Sequence, residues 1–282
     1  MQSGESSQSG RGPTGGKSTT LAQPTFVRHL LSIGRQEGLQ AIQEAVKDYR
    51  YHAARDPAAF NPDLAASLTH LSNGLLGLGR KEEALGAIQE VVELHRRLAA
   101  HEPAQFNPDL ATSLTLLSIG LVGLGRRDEA LKAVQEAVEL NRHLAADDPT
   151  SPFNPDLATS LTHLSTGLLS VGQKEEALRA IQEAVELYRR QVAYDPAAFI
   201  PDLAASLIHL SASLLGLGHQ IKALEAIREA VGHYRRQAAY DPATFTLDLA
   251  PHLSAGLLRL GRREEADQIT KEAAKRAGLI DG

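Results

Sequence analysis

The chain has 282 residues with 29 basic and 34 acidic side chains, a net charge of −5, 43% hydrophobic residues and no cysteine. The two signs are interspersed, which leaves no broad basic field for nucleic acid or anionic lipid, and the lack of cysteine removes disulfide frameworks and thiolate zinc sites. No apolar run approaches the ~20 residues of a membrane span and the N-terminus has no signal-peptide core, so the expectation is a cytoplasmic protein.

Residues 1–21 are Gly, Ser, Thr and Gln with almost nothing apolar, and are expected to form a disordered tail. The stretch GPTGGKST inside it invites comparison with a phosphate-binding loop. That loop needs a glycine where Arg11 stands, and no hydrophobic strand precedes it, so the tail reads as a linker and no cofactor is expected.

Residues 22–278 read as one array of about six helix pairs. A shortened copy opens it, with TFVRHLLSIG as its first helix and RQEGLQAIQEAVKDYRYHAARDPAAF as its second. The full unit, residues 60–105, then returns at Phe106, Phe153, Phe199 and Phe245, steps of 46, 47, 46 and 46 residues. Self-similarity at a fixed period marks units that bury their apolar faces only by stacking on neighbours.

Within the unit, Asn61, Pro62 and Asp63 predict the start of helix A: an N-cap, a proline at the first helical position and a carboxylate facing the positive helix end. Leu64, Leu68, Leu71, Leu75 and Leu78 follow as a narrow stripe of helical period. Gly79 supplies a left-handed terminus. Arg80 to Glu83 open helix B, whose apolar line Ala84, Ile88, Val91, Val92, His95 and Leu98 continues to Ala100. Arg96 with Arg97, Arg189 with Arg190 and Arg235 with Arg236 read as complements of the helix dipole on a solvated face. The column Tyr49, Tyr188 and Tyr234, filled by His95 and Asn141 in the middle copies, reads as packing between repeats. In the last copy Pro251 is expected to delay helix A, leaving it about a turn short.

The columns beginning Leu71, Ser72, Leu75, Ala84, Ile88 and Val91 recur as Leu117, Ser118, Leu121, Ala130, Val134 and Ala137, and again in the later copies. They resemble tetratricopeptide repeats over about residues 24–277, in a lengthened form similar to the arrays of kinesin light chains and of fungal and bacterial proteins that join such repeats to a nucleotide-binding switch domain. The departures are Leu68 where tryptophan is common, Ser72 where glycine is commoner, and a helix B that runs on to Pro103. The resemblance implies an all-α, right-handed α-solenoid of antiparallel helix pairs, with helix A lining a concave, ligand-binding side.

The helical wheel marks the same face. Opposite the leucine stripe lie Ala66, His70, Asn73 and Gly77, then Thr112, Leu116, Ile119 and Gly123, then Thr159, His163, Thr166 and Ser170, then Ala205, His209, Ala212 and Gly216, with His252 in the last copy. These columns read as uncharged, which argues against a clamp for a terminal carboxylate and suits a groove that hydrogen-bonds a peptide backbone. The protein-binding groove is therefore assigned to Ala66, His70, Asn73, Thr112, Thr159, His163, Thr166, His209, Ala212 and His252, with the histidines expected to change charge between about pH 5 and 8. Polar residues recur by column and no copy carries a converging nucleophile, base and orienting group, so no catalytic residue and no metal ligand is assigned. The expected function is a monomeric, non-catalytic scaffold for a protein or peptide partner, with no nucleic acid or membrane. The alternative is a sensor or oligomerisation arm of a larger signalling NTPase.

Overall fold

The computed structural model describes residues 35–146, 151–240 and 242–276; the expected tail, its phosphate-loop-like stretch and the first helix A lie outside the described residues. The described residues form eleven helices and no strand. They are α1 (Arg35–Ala53), α2 (Pro57–Gly77), α3 (Lys81–His101), α4 (Pro103–Gly123), α5 (Arg127–Ala145), α6 (Asn154–Ser170), α7 (Lys174–Tyr194), α8 (Pro196–Gly216), α9 (Gln220–Tyr240), α10 (Pro242–Arg259) and α11 (Arg263–Arg276). Even-numbered helices are the A helices and odd-numbered ones the B helices.

Each helix packs on the next, and A helices of neighbouring repeats also touch: α4 on α6, α6 on α8 and α8 on α10. No two B helices approach as closely among the described residues. The layer whose members lie closer together is the inner one, so the array curves toward its A helices. Hydroxyl pairs fasten this layer, Thr115 Oγ1 to Ser160 Oγ at 3.1 Å and Thr162 Oγ1 to Ser206 Oγ at 3.2 Å.

Helix A starts earlier than its sequence suggests. In α2 the N-cap is Asp56, whose carboxylate accepts from Ala59 N at 3.2 Å, Pro57 opens the helix and Pro62 stands inside it. Asp195 and Pro196 do the same for α8, and Pro108 and Pro201 are likewise interior. The reason is packing. Winding the preceding turn into helix buries Phe106 and lays Phe60 against the cluster containing Tyr49 and Ala53, which offsets the one ladder bond that an interior proline removes. Only α6, after the longer connection, begins at the Asn-Pro-Asp signal, with Asn154 as its first residue. Pro251 is also interior: α10 starts at Pro242, so its 18 residues against 21 in α8 reflect a three-residue deletion and no late start.

Helix A ends where the glycines place it. Gly79, Gly125, Gly172, Gly218 and Gly261 all have φ between 72° and 88°, and the bonds Arg80 N to Leu75 O and Gly79 N to Leu76 O close the turn that such a residue permits. Leu68 and Leu75 from helix A, and Ala84, Ile88, Val91 and Val92 from helix B, are buried as the stripes predict; Leu71 is half-buried. The tyrosine column packs between repeats as expected: Tyr49, Tyr188 and Tyr234 are buried, and so is Asn141, which donates to Asp156 O at 3.2 Å and Ser160 Oγ at 2.9 Å. Among the described residues one helix, α8, is long and apolar enough to cross a membrane by length and composition, which the broken apolar runs of the sequence did not suggest. Its Leu203, Leu207 and Leu214 are buried in the core of the array.

Candidate functional site

The inner face is built from one column set per A helix, and none of its ten assigned residues is consumed by the core. Ala66, Asn73, Thr112 and His252 are exposed, and His70, Thr159, His163, Thr166, His209 and Ala212 are half-buried. The threonines are already engaged. Thr112 donates to Pro108 O at 3.0 Å, Thr166 to Thr162 O at 3.2 Å and Thr159 to Pro155 O at 3.0 Å, with Thr159 also 2.7 Å from the Tyr188 hydroxyl. Back-bonding of this kind leaves the hydroxyl an acceptor for a ligand and not a free donor.

The face divides into two chemistries. Along its first half Leu76, Ile119 and Val122 are exposed apolar side chains. Asn73, Leu76, Leu116, Ile119 and Gly120 surround a small cavity of about 40 Å³ that the buried Ser72 also lines, and the Ser72 hydroxyl has no hydrogen-bond partner among the described residues. The second half is lined by histidines. His209 and Ala212 on α8 meet His252, Ala255, Gly256 and Arg259 on α10 around a cavity of about 290 Å³. The other assigned residues line the open face and share no described cavity.

Burial changes what the histidines can do. Loss of solvent, with a smaller contribution from His209, holds the His163 imidazole down to about pKa 4. His209 is lowered by burial and then by His252. Both are neutral at pH 7, which overturns the expectation that His163 would change charge between pH 5 and 8; desolvation penalises the cation, and the neighbour in the same column is a histidine, not an acid. As neutral rings they still offer one donor and one acceptor each. Among the described residues no three His, Asp or Glu side chains come together to hold a metal ion.

Charge is less absent from this face than the columns implied. Asp63, Asp109 and Asp202 stand one turn before Ala66, Thr112 and Ala205, exposed, and because their helices start earlier than predicted they lie beyond the first turn. Of the A-helix aspartates in this column, Asp156 alone stands in a first turn and keeps a helix-dipole role. Partial desolvation raises the carboxyls of Asp156 and Asp202, although both still reach solvent. At the far end Arg259 occupies the column that holds Gly77, Gly123, Ser170 and Gly216 in the other copies. Aligning the shortened last copy on its HLSAGLLRLG segment would have found it.

On the outer face the paired arginines do not serve the helix dipole, since helix B runs beyond them and α3, α7 and α9 carry no arginine in the last turn, whereas Arg50 of α1 and Arg142 of α5 do stand in one. Arg96, Arg189 and Arg235, the first of each pair, bridge to the next repeat, and Arg50 and Arg142 in the same column do so too. Arg50 meets Glu90, Arg96 meets Glu136, Arg142 meets Glu183, Arg189 meets Glu229 and Arg235 meets Glu272, at 2.5 to 2.9 Å. Every junction between described B helices carries one such pair.

With the geometry in hand, likeness to known proteins can be placed on it. Residues 64–102 and 157–191 match the family model described as tetratricopeptide repeat, and residues 109–151 and 201–253 match that of anaphase-promoting complex subunit 5. The two models fall on alternating stretches of one array. The chain is similar in structure to BtubC (BKLC) from P. vanneervenii, with a TM-score of 0.63 and 18% identity over 88% of this chain and 93% of that one. It is also similar to a kinesin-light-chain-like protein of nearly identical TPR-like repeats from Podosopora anserina, with a TM-score of 0.56 and 17% identity over 78% and 95% of the two chains. At these identities the likeness is one of fold. Nothing among the curated proteins matches the sequence.

Proposed function

We propose that this chain, which matches the tetratricopeptide-repeat model over residues 64–102 and 157–191 and shares the fold of a protein of TPR-like repeats, is a non-catalytic scaffold which binds a protein segment along the inner face of its A helices. One observation carries the reading: five successive A helices present a face of small, mostly uncharged and exposed apolar residues that the core does not fully bury, continuous from Asn73 and Ile119 to His209 and His252. Such a surface accepts a backbone at close range, buries apolar side chains at Leu76, Ile119 and Val122, and hydrogen-bonds through neutral imidazoles. The outer face, by contrast, spends its charges on neighbouring repeats.

Affinity purification from native extract, with bound proteins identified by mass spectrometry, tests this. A partner should be lost when Ile119→Asp is combined with Thr166→Lys on the inner face, and kept when Arg189→Gln is combined with Arg235→Gln on the outer one. Loss from the outer-face variant alone would mean that binding occurs on the B helices.

A further inference from the structure

We infer that the cavity between α8 and α10 seats an aspartate or glutamate side chain of the bound segment, with Arg259 as the cationic partner of its carboxylate. The inference rests on the groove reading and adds to it the chemistry of one position in the partner. Arg259 is the one cation in the groove columns of the described repeats, in a position held elsewhere by Gly77, Gly123, Ser170 and Gly216. It lines the cavity and makes no ion pair or hydrogen bond among the described residues, whereas Arg228, Arg235 and Arg262 nearby each hold a glutamate.

The walls favour a side-chain carboxylate over other anions. Ala205, Ile208, Ala212, Leu215 and Ala255 are apolar, and once a bound segment covers the cavity they strengthen a single charge pair by displacing water from it. The methylenes of an acidic side chain match such walls. A chain terminus would carry its own peptide groups against them without partners, and a phosphate would bring a second charge with no second cation. His209 and His252 complete the site as N–H donors to a carboxylate oxygen, and the cavity of about 290 Å³ has room for the side chain with the backbone on either side.

The test uses the full chain and a displayed random peptide library with two arms, one in which the random stretch is flanked on both sides and one with free carboxyl ends. Wild type should select flanked peptides with Asp or Glu at one position. The best of them should bind about tenfold or more tightly than its amide counterpart, as expected of a hydrogen bond to a charged group. Arg259→Gln should lose this preference while keeping the rest of the selected pattern, and Arg259→Lys should retain part of it. The side chain is exposed, so the melting temperature should not move. Peptides without an acidic position, an acidic preference untouched by Arg259→Gln, or carboxylates selected only at free ends would overturn the inference and leave the groove standing. Selection of no peptide at all would remove the groove reading and this inference together.

Discussion

Arg189 reaches across a repeat boundary to Glu229, its Nε and Nη2 donating to the two carboxylate oxygens at 3.1 and 2.8 Å, while its Nη1 holds Glu186 in its own helix at 2.6 Å. The pair is one rung of a ladder that joins the B helices, whose backbones do not approach one another as the A helices do among the described residues. Both partners are substantially exposed, 41% and 34%, so water and salt screen them. A double-mutant cycle of Arg189→Gln and Glu229→Gln should give a coupling of about 0.2 to 1 kcal/mol, smaller at 1 M salt. A coupling above about 2 kcal/mol would show that the ladder holds the array together, which the exposure argues against.

The Asn141 amide is a stronger tie. It is buried and donates to Asp156 O and Ser160 Oγ on the following A helix, while Tyr49, His95, Tyr188 and Tyr234 stand at the other junctions. Asn141→Ala removes both bonds and opens a cavity at a junction, so it should cost about 2 to 3 kcal/mol in denaturant melts. An outcome below about 0.5 kcal/mol would mean that this junction does not depend on the amide.

His163 should make the protein acid-sensitive. Its imidazole is held near pKa 4 in the fold against about 6.5 in the unfolded chain, so between these values the unfolded state binds the extra proton and stability falls as pH falls. The contribution is complete above about pH 6.5 and is lost progressively toward pH 4. Between pH 7 and 4.5 wild type should lose about 2 kcal/mol more than His163→Gln, measured by urea titration at each pH. Parallel losses in the two proteins would place the acid sensitivity elsewhere.

Modularity follows from the nearest-neighbour packing. Removing residues 107–153 joins Phe106 to Asn154 and restores the native Phe-Asn-Pro-Asp sequence, with one A–B pair fewer. This deletion should leave a cooperative, highly helical protein by circular dichroism, melting somewhat lower. Removing only residues 127–145, the whole of α5, exposes the apolar sides of α4 and α6 and should abolish the cooperative melt. Equal damage from the two deletions would contradict a stack of independent units.

Much of the fold was legible in the sequence because it rests on local signals that repeat. The 46-residue period, the leucine stripe from Leu64 to Leu75, the left-handed Gly79 column and the tyrosine column each follow from backbone stereochemistry or helical periodicity, and their recurrence from copy to copy outweighs any single ambiguity. The inner face was legible for the same reason: a wheel that fixes the buried side of a helix fixes its opposite side.

What only the tertiary structure decided depends on neighbours distant in the chain. The start of helix A at Asp56 came from the Phe60 and Phe106 column finding core to bury against, which outweighed the local signal at Asn61 and Pro62 and carried Asp63 out of the first turn. The neutrality of His163 and His209 came from desolvation by adjacent repeats, a quantity set by packing and not by residue type. Arg189 found Glu229 across a junction 40 residues wide, and Arg259 met His209 and His252 at one cavity. Local preferences determine each helix and the side it buries; stacking determines which charges are paired, which rings lose their water and where a cavity opens.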